Sequence, residues 1–165
     1  MRKFDKNAQI KILKIILIMI WMVTVFKFSD QKGTESSHTS RSFTVTIIQM
    51  ITGKQIDENN HIIEKIETVV RKLAHYTIYT IGGFLIMNNE YTKEKALKGK
   101  ILYSICFGGS YAMTDELHQF FVPGRSARIF DVGIDTLGVI TGVLIYVVIR
   151  KTIEITLKKY KTKGI

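Results

Sequence analysis

The chain has one cysteine and one proline in 165 residues. A single cysteine excludes a disulfide framework and a cysteine-rich zinc module. One proline among 12 glycines excludes collagen-like and proline-rich repeats. No internal repeat is present. Acids are scarce: 14 Asp and Glu stand against 24 Lys and Arg, a formal net charge of +10. A soluble nucleic-acid binder would suit that charge, but no nucleic-acid-binding motif accompanies it. The chain is also 46% hydrophobic, with 9 phenylalanines. That content excludes intrinsic disorder for most of its length. What remains to be explained is where the excess positive charge sits.

Four apolar runs answer part of this. The first covers residues 10–28 and carries no charge between Ile15 and Phe26. With its lysines snorkelling at the ends, it is long enough to cross a bilayer. No small-x-small cleavage site follows, so it reads as an uncleaved anchor rather than a signal peptide. The run 73–87 contains His75, Gly82 and Gly83; the run 101–121 carries Asp115, Glu116 and His118; the run 132–149 opens on Asp135. Apolar runs of this kind also make the core helices of soluble bundles. Four of them flanked by Lys and Arg favour a single all-α domain over residues 1–165, a four-span membrane bundle. Between the first two spans, residues 29–37 have the composition of a loop. Phe43, Ile47, Met50 and Ile51, and then Ile62, Ile66, Val69, Val70 and Leu73, recur at helical spacing. They predict two amphipathic interfacial helices, the second leading into the second span. A short extracytoplasmic subdomain is the plainer reading of the same segment.

Charge asymmetry orients such a bundle. With the N-terminus inside, the inner flanks hold Arg2, Lys3, Lys6, Lys11 and Lys14, then Lys93, Lys95, Lys98 and Lys100, then Arg150, Lys151, Lys158, Lys159, Lys161 and Lys163. Only Asp5, Glu90, Glu94 and Glu154 oppose them, whereas residues 30–72 contain six basic and six acidic residues. The positive-inside rule then places both ends in the cytoplasm. The run Lys158-Lys159-Tyr160-Lys161 also suits anionic inner-leaflet lipid.

In that topology the intramembrane ionisable groups all fall in the outer leaflet: His75, Asp115, Glu116, His118 and Asp135, with Gln119, Arg125, Arg128 and Asp131 beside them. Charges at such depth are costly and face a bundle interior or a watery cavity. Gly108, Ala112, Asp115 and Gln119 share one helical face, as do Asp131, Asp135, Gly138 and Gly142. The Gly138/Gly142 pair is a small-xxx-small contact, weak evidence of dimerisation on its own. Three readings of the cluster stand. It is a buried polar network in which Arg125 or Arg128 neutralises Asp131 and Asp135. Or its arginines fork onto a phosphate or carboxylate. Or it is catalytic, with His75, Asp115 and His118 holding a divalent metal, or Glu116 as general base. No strong zinc motif such as HExxH supports the metal. Cys106 reads as a small packing residue, Trp21 as facing lipid or a helix, and His38 and His61 as solvated.

The same residues resemble the VanZ-like family of bacterial membrane proteins. Thr114-Asp115-Glu116-Leu117-His118-Gln119, the turn Pro123-Gly124-Arg125 and the segment Asp131-Val132-Gly133-Ile134-Asp135-Thr136-Leu137-Gly138 are similar to its main motif. Arg71-Lys72-Leu73-Ala74-His75-Tyr76 is similar to a second motif, and Phe28-Ser29-Asp30-Gln31 with Ser36 and Ser40 to a serine-rich third. The chain departs at Ile78, where many members have an acid. The resemblance implies a multi-pass protein of the bacterial cytoplasmic membrane, with His75, Asp115, Glu116 and His118 as candidate catalytic residues. Arg71, Lys72, Gln119, Arg125, Arg128, Asp131 and Asp135 become candidate ligand-binding residues. It implies a phenotype class, lowered susceptibility to teicoplanin-type lipoglycopeptides, but no reaction. The expectation is therefore a protein that binds an outer-leaflet lipid or lipid-linked cell-wall precursor. The alternative is a membrane-embedded hydrolase or transferase, dependent on a metal or an acid/base pair, acting on such a substrate.

Overall fold

The computed structural model describes residues 5–53, 61–89 and 96–162. Among them lie five helices and no strand: α1 (Lys6–Ser29), α2 (Gly33–Thr52), α3 (His61–Met87), α4 (Leu97–Phe120) and α5 (Ile129–Thr162). The flanking charges Arg2, Lys3, Glu90, Lys93, Glu94, Lys95 and Lys163 lie outside the described residues. Two helices, α1 and α5, are long and apolar enough to cross a membrane. At about 1.5 Å per residue α5 is roughly 51 Å long, well beyond a hydrocarbon core of about 30 Å. Its residues 148–161 are all exposed, so its last turns stand clear of the bundle.

Small residues decide how the helices approach. A Cβ on Gly142 would lie 1.9 Å from the Thr80 carbonyl oxygen, and one on Gly138 would lie 2.5 Å from that of Tyr76. Among the described helices the α3–α5 interface is the most extensive, and Tyr76 Oη and Thr141 Oγ1 close it at 2.7 Å. The Gly138/Gly142 pair therefore packs α5 on α3 within one chain, not one chain on another. On α4, Ser104, Gly108, Ala112, Asp115 and Gln119 form the buried face, as the helical spacing predicts.

Trp21 is 4% exposed and sits in the core with Tyr79, Ala112, Val139 and Val143. Its Nε1 donates to the Ile78 carbonyl at 2.8 Å, and its ring meets Tyr79 edge-on with centroids 5.8 Å apart. The indole is thus buried with its one donor satisfied. Cys106 is exposed on α4 and packs into no core, contrary to the sequence expectation.

The expected loop at 29–37 is also corrected. Only Asp30–Lys32 separates α1 from α2, and Ser36, Ser37, Thr39 and Ser40 are helical. The hydroxyls of Thr39 and Thr44 bond back to the carbonyls of Glu35 and Ser40, which reconciles a hydroxyl-rich sequence with a helix. The α2 start is held by the α4–α5 turn. Gly33 N donates to the Pro123 carbonyl at 3.1 Å, and Gly124 turns the chain at φ 77°. A Cβ on Gly33 would lie 1.9 Å from the Gly124 oxygen, so glycine permits the contact.

Farther along, Arg41 Nε bonds Glu67 Oε2 at 3.2 Å and ties α2 to α3. The Glu67 side chain is 6% exposed and that of Arg41 35%. Arg41→Ala strands a buried carboxylate. The expected loss is about 2 kcal/mol, below the ~3–5 of a fully buried pair because solvent screens Arg41. Thermal unfolding in detergent, with Glu67→Gln as the second half of the pair, checks this.

Candidate functional site

The polar residues gather at one end of the bundle. There α1 and α4 end, α2 and α5 begin, and the N-terminal half of α3 passes between them.

The acids at this end differ in their surroundings. Asp115 (4% exposed) accepts from Gln119 Nε2 at 3.3 Å, one turn along α4. Its backbone oxygen accepts from Ser29 Oγ at 3.4 Å. Glu116 accepts the Arg128 backbone N–H at 2.6 Å. That bond anchors the residue before α5. Asp135 (1% exposed) lies with Oδ1 3.8 Å from His75 Nδ1. Asp131 is bonded by Lys72, whose ammonium also lies 5.1 Å from the centre of the Phe130 ring.

His75, Asp115 and Asp135 each offer a ligand atom within 4.8 Å of the others. His118 does not join them. Its Nε2 lies 3.4 Å from Asp30 Oδ1, and its ring stacks on Phe26 with centroids 4.6 Å apart. The expected trio His75, Asp115 and His118 is thus replaced by one in which Asp135 takes the place of His118. The reason is helical: a three-residue step rotates a side chain about 60° from the Asp115 direction, which turns His118 toward α1.

Arg125 does not neutralise Asp131 or Asp135. It donates through Nη2 to the Phe28 carbonyl at 2.8 Å and through Nε to the Gln31 carbonyl at 3.0 Å. These are acceptors left over at the end of α1. Burial, and then the nearby Arg71 guanidinium, push the Arg125 pKa below its ordinary value.

Two cavities meet at this end. The polar one, about 170 Å³, is lined by Arg71, Lys72, His75, Gln119, Arg125, Arg128 and Asp131, with Thr68, Ser126 and Ile134. Its only acid, Asp131, is already bonded to Lys72. The guanidiniums of Arg71 and Arg128 have no carboxylate partner among the described residues. The second, about 270 Å³, is largely apolar and lies between α1, α2 and α3. Val25, Phe28, Phe43, Val70, Ala74 and Ile78 supply its apolar wall, and Ser36, Thr39 and Ser40 its rim. Arg71, His75 and Arg125 belong to both cavities.

Six of the seven ligand-binding candidates line the polar cavity; the seventh, Asp135, lies behind His75. The apolar compartment was not anticipated, although the candidates Arg71, His75 and Arg125 line it, because the start of its α2 wall, at Ser36, reads as loop. Phe43 at helical spacing was the available signal. Tyr79, wholly buried one turn after His75, also escaped; the four-residue step was its signal.

The family model described as VanZ/LLP1 matches residues 14–150, which contain every residue of the polar end. No curated protein and no solved structure gives a significant match. With α1 and α5 able to cross a bilayer, the match makes this a membrane protein. The chain belongs to the VanZ/LLP1 family.

Proposed function

We propose that this chain is a four-span protein of the bacterial cytoplasmic membrane, with both ends cytoplasmic, that binds an anionic amphiphile of the outer leaflet. The occupant is a lipid or a lipid-linked cell-wall precursor. Its phosphate or carboxylate meets Arg71 and Arg128 in the polar cavity, and its apolar tail lies in the α1–α2–α3 groove. The carrying observation is the shared wall: Arg71, His75 and Arg125 line both compartments. One molecule with a charged head and a greasy tail fills both. Guanidiniums suit such a head because they fork onto planar or tetrahedral oxyanions. Arg125, whose pKa is lowered first by burial and then by Arg71, gains with that neighbour from an anion between them. Holding such a component supports an effect on teicoplanin-type lipoglycopeptides. Overexpression is expected to lower susceptibility and deletion to raise it; unchanged inhibitory concentrations in both directions would remove the resistance role.

The direct test is binding of a spin-labelled anionic phospholipid to the detergent-solubilised protein. A charge-assisted hydrogen bond contributes about 1.5–3 kcal/mol, so Arg71→Gln is expected to weaken binding roughly 10- to 100-fold. Ala74→Trp fills the groove and is expected to exclude the long-chain lipid while retaining a short-chain anionic analogue. Equal affinity for zwitterionic lipid, with no effect of Arg71→Gln, contradicts the reading.

Chemistry on the bound molecule is the second reading, as a hydrolase or transferase. One observation favours it: His75 lies in the cavity wall and also against the buried acids Asp115 and Asp135. Turnover of a lipid-linked pyrophosphate by wild type but not by Asp115→Asn supports it; no turnover by either leaves binding alone.

A further inference from the structure

We infer that His75, Asp115 and Asp135 form a binding site for one divalent first-row cation, Zn²⁺ or Mn²⁺, behind the polar cavity. Three observations carry this. The donors converge from three helices, α3, α4 and α5, and lie within 4.8 Å of one another. Asp135 is 1% exposed, and neither carboxylate oxygen has a hydrogen-bond partner among the described residues. A buried carboxylate without hydrogen-bond partners is costly, and a bound cation is one way to relieve that cost. Of the nearby cations, Arg125 is held by the Phe28 and Gln31 carbonyls and Lys72 by Asp131, and no Lys or Arg among the described residues hydrogen-bonds Asp135.

Charge balance points the same way. A histidinium at His75 would offset one carboxylate and leave the other. A neutral imidazole with two carboxylates carries −2, which a divalent ion cancels. Beside Asp135 Oδ1, His75 Nδ1 stands 3.8 Å away, with no hydrogen bond formed. Two donors each about 2.0–2.2 Å from one zinc stand roughly 3.4 Å apart in a tetrahedron. The triad thus has to contract by at most about 1.5 Å, within the reach of side-chain rotation. One nitrogen and two oxygens suit zinc or manganese better than a calcium site of six to eight oxygens. Gln119 Nε2 on Asp115 Oδ2 orients one ligand from outside the triad. The Tyr79 hydroxyl is also buried without a hydrogen-bond partner among the described residues. Three protein donors leave a coordination position open, as in catalytic rather than structural zinc sites. Since His75 also lines the polar cavity, the ion would add to the positive field there.

The test uses full-length protein in detergent, stripped with chelator and titrated with Zn²⁺ and Mn²⁺ by calorimetry, with elemental analysis. One equivalent per chain is expected, with micromolar or tighter affinity. Asp135→Asn, nearly isosteric, and His75→Gln are each expected to weaken it at least 100-fold with helical circular dichroism unchanged. His118→Ala is expected to bind as wild type. X-ray absorption of the loaded protein is expected to show one imidazole in a nitrogen/oxygen shell, a readout that needs no variant to fold. Wild-type protein that keeps its helicity yet binds neither ion overturns the proposal. So does equal loss in His118→Ala and Asp135→Asn. Either outcome leaves the lipid-binding measurements untouched.

Discussion

Gly142→Ala is expected to lose about 3 kcal/mol of stability, the upper end of what overpacking by one methyl costs. The size comes from what the methyl meets. Its Cβ would lie 1.9 Å from the Thr80 carbonyl oxygen and 2.7 Å from the Phe84 nitrogen. Both are α3 backbone atoms, so no side chain can swing aside and the two helices must separate. Separation also draws His75 on α3 away from Asp135 on α5, so ligand and ion binding fall with stability. The control is Gly133→Ala on the same helix. Nothing lies within 4 Å of a Cβ there, and helix propensity alone is expected to make it neutral to about 1 kcal/mol stabilising. The fluorescence of Trp21, the sole tryptophan and a core residue, reports thermal unfolding of both. Equal melting temperatures would show that α3 and α5 do not approach this closely.

Arg125→Lys is expected to have the largest effect on ligand binding, on the order of a 100-fold loss of anionic lipid affinity, equivalent to about 2.7 kcal/mol. Charge is conserved, so what changes is geometry. The guanidinium spans two carbonyls, Phe28 at 2.8 Å and Gln31 at 3.0 Å, while lining both cavities. An ammonium is a point donor that cannot reproduce this fork. The α1 end then loses a partner and the shared wall shifts. Lipid titration beside a melting curve separates the two parts. A melting temperature lowered with affinity intact would make Arg125 a brace for the helix end only.

Much of the bundle was legible because helical periodicity is strong in long apolar runs. The interior face of α4, from Gly108 to Gln119, followed directly from four-residue spacing, and that spacing is how Asp115 and Gln119 came to bond. Two features resisted. The grouping of His75, Asp115 and Asp135 could not be read because sequence spacing orders residues along one helix, whereas the triad forms between three. His118 sits nearer Asp115 in sequence than Asp135 does, yet its azimuth faces α1. Glycines 138 and 142 bring α5 onto α3 and so carry Asp135 to His75. From sequence they read equally as a contact between chains. The α2 wall of the apolar groove was missed for a different reason. Serine and threonine bond to backbone in both turns and helices, so composition alone did not distinguish them. The deciding contact, Gly33 against Gly124, joins residues far apart in the chain.

The charge excess fits the proposed topology. Most of it lies in sequence flanks that this topology assigns to the cytoplasmic side, while the guanidiniums of the polar cavity lie at the end where α1 and α4 stop and α5 begins. Acids are not missing from that end. Asp131, Glu116, Asp115 and Asp135 are all there, but the first two are bonded to Lys72 and to the Arg128 backbone, and the last two lie behind His75. The cavity surface is left basic while its floor is acidic. On that separation rest both the proposed anion site in front and the proposed cation site behind.

Native mass spectrometry of the protein extracted from its own membrane tests the central claim most directly. The account predicts one retained anionic amphiphile per wild-type chain, released from Arg71→Gln under the same conditions. A wild-type spectrum with no adduct, or with lipids that follow membrane abundance and persist in Arg71→Gln, would contradict it.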